Sequence, residues 1–289
     1  MKQLLILSGK GGTGKTTLAS AIIRLSEAKA CADCDVDAPN LHLVMDYKGE
    51  TERKDYYGLP KAFIDAGLCT HCGSCLEICR FEAVISGKKM HIDPRACEGC
   101  GLCERICPVG AIEMHPSVAG ELRLLSDPEK GIFSTAQLKM GNGTTGLLVT
   151  EVKKQMIKAS DNASLAVIDG SPGIGCPVIA SITGVDMILI VTEPSLSGIS
   201  DMDRILDTAR RLGSDITVCV NKADTNQKMT EQIRDRCLQM DVPYTGEIPF
   251  DPEAVRIVNK GLTLADEKCP AGDAIRSVFE NVMNIMNRR

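Results

Sequence analysis

Eight cysteines crowd into residues 69–107, with spacing that suits a metal centre. Cys69, Cys72, Cys75 and Cys79 form a C-x2-C-x2-C-x3-C run, and Cys97, Cys100, Cys103 and Cys107 repeat it at a constant offset of 28 residues. The residues behind each set, around Ala83-Val84-Ile85 and Gly110-Ala111-Ile112, correspond as well, so the segment is two copies of one small unit. In a reducing compartment, clustered thiols mean metal more often than disulfide. Zinc also accepts C-x2-C pairs, but a tetrahedral site needs no such repeat and rarely takes four cysteines from eleven residues. The spacing therefore favours iron–sulfur clusters over zinc.

A second constellation opens the chain. Gly9-Lys10-Gly11-Gly12-Thr13-Gly14-Lys15-Thr16 satisfies G-x4-G-K-[ST] between an apolar run and a helical pattern, with Thr17 next in line. Glycines free backbone N–H groups to wrap phosphates, and the positive end of the following helix adds to the attraction. Lys15 is expected at the β- and γ-phosphates and the Thr16 hydroxyl on Mg2+. Asn221-Lys222-Ala223-Asp224 reads as N-K-x-D, which makes Asn221 and Asp224 candidates for the base. The Asp of that motif selects guanine in small GTPases, so GTP stands beside ATP as the nucleotide.

Residues 65–116 resemble bacterial two-cluster ferredoxins, in which the fourth cysteine of each run serves the other cluster. The resemblance implies one [4Fe–4S] cluster on Cys69, Cys72, Cys75 and Cys107, and a second on Cys97, Cys100, Cys103 and Cys79. Pro108 follows Cys107 as that pattern expects, but Arg80 stands after Cys79. The change is expected to expose one cluster and to raise its potential through a nearby positive charge. His71 reads as a neighbour of the first cluster, not a ligand.

With its extra lysine, Lys10, the glycine loop resembles the deviant form of the MinD/ParA family, which includes the nitrogenase iron protein and iron–sulfur scaffold ATPases. The likeness spans about residues 1–48 and 144–265. It implies ATP, Mg2+ and an ATP-dependent homodimer in which Lys10 crosses to the partner's phosphates, making Lys10 and Lys15 catalytic. Asp33-Cys34-Asp35-Val36-Asp37-Ala38-Pro39-Asn40 resembles switch I, with Asp35 beside the Mg2+ and orienting the attacking water. Asp169-Gly170-Ser171-Pro172-Gly173 resembles the Walker B end and switch II, with Asp169 holding Mg2+ through water. Thr192-Glu193-Pro194-Ser195 with Asp201 resembles a segment of the dimer face. Cys176 stands where the nitrogenase iron protein carries one dimer-bridging ligand, but no second ligand is evident, so an interfacial third cluster is the lesser reading.

The elements that must hold these groups read as strand, loop and helix in alternation. Gln3–Leu7 and Ala28–Ala32 are short apolar runs, and Leu18, Ala21, Ile22 and Leu25 share one helix face between them. Later runs at Leu165–Ile168, Met187–Val191 and Ile216–Val220 alternate with helices over about 200–212, 230–240 and 271–286. The expectation is an α/β P-loop NTPase fold, a mainly parallel sheet with helices on both faces, plus a small inserted α+β ferredoxin-like domain. Residues 1–58 and 119–289 form the discontinuous nucleotidase and 59–118 the insert, which leaves the chain between the two switches. The terminal apolar stripe Ile275, Val278, Phe279, Val282 and Met286 has basic residues only at its tip, Arg288-Arg289, so it is expected to pack on the sheet. Cys31, Cys34 and Cys219 read as small buried hydrophobes.

At 289 residues, with 44% hydrophobic and 25% charged residues, the chain has an ordinary globular composition. No apolar run is long enough for a bilayer and no cleavable leader is evident, which points to a cytoplasmic protein without a membrane partner. A net charge of -5 argues against nucleic acid. The functional expectation is nucleotide-gated electron transfer, or assembly and delivery of clusters, with an unidentified redox partner or client. The alternative is a MinD/ParA-like regulatory ATPase whose clusters sense redox state.

Overall fold

The computed structural model describes every residue except 144, 161 and 289. Arg289, half of the expected basic tip, therefore lies outside the described residues. The first elements are β1 (Lys2–Leu7), α1 (Lys15–Ser26), β2 (Ala30–Asp33), α2 (His42–Met45) and β3 (Glu50–Tyr57). A small module follows: β4 (Lys61–Ile64), α3 (Ser74–Ile78), β5 (Val84–Ile85), β6 (His91–Ile92), α4 (Leu102–Ile106) and β7 (Ile112–His115). The chain then continues with β8 (Val118–Asp127), β9 (Gly131–Leu138), α5 (Thr145–Ala159), β10 (Leu165–Asp169), α6 (Cys176–Ile182) and β11 (Met187–Thr192). Last come α7 (Leu196–Arg211), β12 (Asp215–Asn221), α8 (Gln227–Gln239), β13 (Tyr244–Ile248), α9 (Pro252–Asn259) and α10 (Pro270–Asn287).

Nine strands make one sheet in the order β13-β12-β11-β1-β10-β2-β9-β8-β3. From β13 to β9 all neighbours run parallel; β8 and β3 are antiparallel additions at one edge. Strands β2, β10 and β11 are buried along their whole length, as befits a sheet covered on both faces. In β1 the side chains alternate. Leu5 and Leu7 enter the core under α5, α6, α7 and α8, while Leu4 and Ile6 enter the core under α1, α9 and α10. Burying each such side chain is worth about 1.5–3 kcal/mol. The stripe of α10 packs as expected, with Ile275, Val278, Val282 and Met286 in that second core. Among the described residues no helix is long and apolar enough to cross a membrane.

Two departures from the sequence reading have local causes. Helix α7 begins at Leu196, ahead of the expected start near 200, because the Ser195 side chain caps it by accepting the Gly198 N–H at 3.0 Å. The sheet also gains β3, β8, β9 and β13. The edge strand β3 is exposed at every position but Tyr56, so it has no apolar alternation to betray it.

The module between β3 and β8 has an internal two-fold pattern. Ser74–Ile78 and Leu102–Ile106 are equivalent short helices, each entered through a glycine in the left-handed region, Gly73 at φ 84° and Gly101 at φ 72°. β4 pairs with β7 and β5 with β6, so each half contributes one strand to each ribbon. Ala62, Ile64, Ala83, Val84, Met90 and Ile112 give the module a core of its own. Because β3 runs in the same direction as β9 and β2, the module hangs from the end of the sheet that carries the carboxyl ends of the parallel strands.

Candidate functional site

That end of the sheet is where open α/β folds bind ligands. β1 delivers the glycine loop there, and β10 beside it and β2 beyond β10 each deliver an aspartate, since Ile6 registers with Asp169 and Asp169 with Asp33. Gly12 and Gly14 take φ of 80° and 89°. A Cβ on Gly14 would stand 2.3 Å from Asn221 Nδ2, so the position needs glycine for space as well as conformation. Helix α1 then starts at Lys15 with its N-terminus toward the loop.

Three expected residues converge under that loop. The buried Lys15 ammonium lies 2.5 Å from Asp169 Oδ1, and the Thr16 hydroxyl donates to Asp169 Oδ2 at 2.7 Å. The hydroxyl and carboxylate stand together as a Mg2+ pair would need, and Lys15 neutralises the acid meanwhile. Asp35 is half-buried in the field of Lys15 and Asp169, and burial pushes its carboxyl up. Asp33, which sequence reasoning gave no role, holds the loop that carries Asp35. Its carboxylate accepts the N–H groups of Asp35, Asn40 and Leu41, each at 3.0 Å. Burial, then the neighbouring Asp169 charge, push the Asp33 carboxyl up to about 7.

Lys10 lies at the mouth, held within its own chain by Glu193 Oε2 at 3.1 Å and Ser197 Oγ at 3.5 Å. The same Glu193 takes Lys222 Nζ on its other oxygen at 2.5 Å, and Lys222 also reaches the Gly12 carbonyl. Although burial opposes it, the two ammonium groups hold the Glu193 carboxyl below its usual range. Gly9 lies against Asp201 of α7, Gly11 is exposed, and Thr13 is buried with its hydroxyl toward the Lys10 carbonyl at 3.5 Å.

Beside the loop opens a cleft of about 260 Å³, lined by Gly12, Gly14, Thr17, Asn221, Pro249, Phe250 and Val255. Its place beside the glycine loop suits a nucleoside. Asn221 donates to the Thr13 carbonyl at 2.7 Å and so ties the base wall to the phosphate loop. Asp224 is not brought to this cleft. Its carboxylate accepts the Phe250 N–H at 2.6 Å and anchors the 249–251 wall instead. That wall was missed in the sequence because nothing in the Pro249-Phe250-Asp251 run signals a ligand before β13 places it.

In the inserted module the cysteines ring two cavities. Cys69, Cys72, Cys75 and Cys107 line one, together with His71, Met90 and Ile112. Cys79, Cys97, Cys100 and Cys103 line the other, together with Arg80, Glu98 and Phe81. Each ring thus draws its fourth cysteine from the other half of the repeat. The Ala111 N–H donates to Cys107 Sγ at 3.2 Å, and hydrogen bonding from Ser74 holds the exposed Cys72 thiol below its ordinary value. Among the described residues, no group of three or more His, Cys, Asp or Glu is placed so as to hold a metal ion. Outside the rings Cys31, Cys34, Cys219, Cys237 and Cys269 are buried, while Cys176 is exposed at the start of α6.

A family model for the CobQ/CobB/MinD/ParA nucleotide binding domain matches residues 4–264. An uncharacterised protein of Methanocaldococcus jannaschii is 29% identical over 285 residues, covering 97% of this chain and 96% of its own. An uncharacterised ATP-binding protein of the same organism is 26% identical, covering 94% of this chain and 84% of its own. The structure of the septum site-determining protein MinD from Pyrococcus horikoshii with Mg-ADP superposes with a TM-score of 0.58 at 18% identity, covering 98% of this chain and 96% of that one.

Proposed function

Because the chain belongs to the CobQ/CobB/MinD/ParA nucleotide-binding family, we propose that it is a Mg2+-dependent ATP switch of the MinD/ParA kind, carrying two [4Fe–4S] clusters that report redox state to the switch. The observation that carries the nucleotide half is the convergence of Lys15 and Thr16 on Asp169 beneath the glycine loop. On binding, Lys15 would leave Asp169 for the β- and γ-phosphates, freeing the Thr16 hydroxyl and the Asp169 carboxylate for Mg2+. Asp35, positioned by Asp33, would orient the attacking water. Lys10 would exchange Glu193 for the phosphates of a second copy, making an ATP-dependent homodimer. Adenine is the base proposed, in keeping with the MinD/ParA likeness, and Asp224, whose Oδ1 accepts the Phe250 N–H, does not line the cleft.

For the insert, the donor set supports clusters. Four thiols line each cavity, and a backbone N–H faces the Cys107 sulfur. When bound, such clusters supply one-electron chemistry, tuned by hydrogen bonds and nearby charge such as Arg80. A second reading, nucleotide-gated electron transfer or cluster delivery to a client protein, is favoured by the exposure of Cys72 and Cys100, one cysteine in each ring. Hydrolysis assayed on anaerobically purified protein, oxidised and reduced, tests the proposal. Mg2+-dependent ATP hydrolysis that changes with cluster reduction, and vanishes in Lys15→Met, is expected. Hydrolysis indifferent to reduction, with iron passing to an acceptor protein only when ATP is present, would favour delivery.

A further inference from the structure

The inserted module is joined to the nucleotide site by more than the two strands that carry it. A short loop, 139–143, leaves β9 and leads into α5. Its inner end is tied to the Asp35 loop: the Leu138 N–H donates to the Val36 carbonyl at 2.9 Å, and Gln137 Nε2 to the Asp37 carbonyl at 3.3 Å. The next residue, Lys139, donates its N–H to the Ala119 carbonyl at 2.8 Å, at the root of the module. The loop then runs against the module itself. A Cβ on Gly141 would lie 3.4 Å from the Arg95 carbonyl oxygen, and one on Gly143 would lie 2.9 Å from Glu98 Oε2. Glu98 lines the second cysteine ring next to Cys97.

Helix α5 packs on α6, the helix that follows the Asp169 loop. A Cβ on Gly146, in the first turn of α5, would stand 3.2 Å from both the Cβ and the carbonyl oxygen of Cys176, the residue that opens α6 directly behind residues 169–175. One turn of contact is reinforced further along. Lys153 of α5 is buried and donates to the Ser181 and Thr183 carbonyls at 2.6 Å each, capping the other end of α6. The end of β9 and loop 139–143 thus run from the Asp35 loop to the second cysteine ring, while α5 packs on α6 behind the Asp169 loop.

We propose that the end of β9 and loop 139–143 form a lever that couples the Asp35 loop to the second cysteine ring, the one containing Cys97 and Cys100, and not to the first. This rests on reading residues 33–40 as a nucleotide switch. Two discrete arrangements of that loop shift the end of β9, and the lever carries that shift to Arg95 and Glu98. The glycines permit it, since Gly141 holds φ of 80° and no side chain on 141 or 143 fills the contact.

Hydrogen exchange on the iron-replete full chain, with Mg-ADP against a non-hydrolysable Mg-ATP analogue, tests the lever. Exchange over residues 95–103 is expected to change roughly fivefold or more between the two nucleotides, the lower end of ordinary coupling, while residues 69–75 stay constant. In Gly141→Val, whose side chain lifts the loop from Arg95, and in Asn142→Ala, which removes the 3.2 Å bond from Asn142 Nδ2 to the Lys139 carbonyl, nucleotide affinity should hold and the response at 95–103 disappear. Nucleotide binding with equal responses in both rings, or an undiminished response in both variants, would overturn the lever alone. Failure of wild type to bind either nucleotide would overturn the lever together with the switch reading beneath it.

Discussion

Asp35 and Asp33 show how two acids one residue apart divide a task. Asp33 spends its carboxylate on three backbone N–H groups and shapes the loop. Asp35 keeps its carboxylate in the field of Lys15, where an attacking water would need it. Asp35→Ala should therefore retain ATP binding and lower hydrolysis by about 10²–10⁴-fold, the usual worth of a positioned base; parallel binding and phosphate-release assays decide it. Asp224→Asn should leave ATP preferred over GTP while loosening nucleotide generally, because the residue anchors the 249–251 wall and touches no base. A guanine reader would instead lose GTP and gain xanthosine triphosphate. Glu193 supplies a pH signature. Its carboxyl is held below the usual 4.5, so its pairs with Lys10 and Lys222 stabilise the fold above that value and are lost as pH falls below it. The stability difference between wild type and Glu193→Gln should stay constant above about pH 5 and shrink in acid. The glycine loop and the repeat of the cysteine runs were legible because fixed residue types recur at short spacing. The anchoring of the 249–251 wall by Asp224 was not, because a four-residue motif says nothing about where Phe250, 26 residues away, will point its N–H.

At the scale of elements, the buried lysine on α5 carries the most weight. Burial lowers the Lys153 pKa, so removing the charge relieves some desolvation, but the carbonyls at the end of α6 would lose their donor. Lys153→Met should cost about 1–3 kcal/mol in denaturant unfolding, the unpaired carbonyls outweighing the relief. Strands β1, β2, β10, β11 and β12 could be read from sequence because burial on both faces demands uninterrupted apolar residues. The β3–β8–β9 extension could not. Glu50–Tyr57 presents charged side chains at an exposed edge, and its pairing with β8 is set by backbone register over eight residues. Those strands decide where the insert hangs, so its place at the ligand-binding end of the sheet was also hidden, although its cysteine repeat was plain.

For the whole molecule the question is whether the two halves act as one. The insert has its own core and could be an independent passenger on the ATPase. Its attachment argues otherwise: it leaves from the ligand-binding end of the sheet, and the Asp35 loop, the end of β9 and the root of β8 are joined by consecutive hydrogen bonds. The most direct measurement is EPR of the anaerobically purified full chain, with iron and acid-labile sulfide counted in the same sample, first with Mg-ADP and then with a non-hydrolysable Mg-ATP analogue. The account predicts about eight irons per chain and a reduced-cluster signal whose shape or midpoint potential shifts between the two nucleotides. Zinc in place of iron, or a cluster signal identical in both nucleotide states, would contradict it.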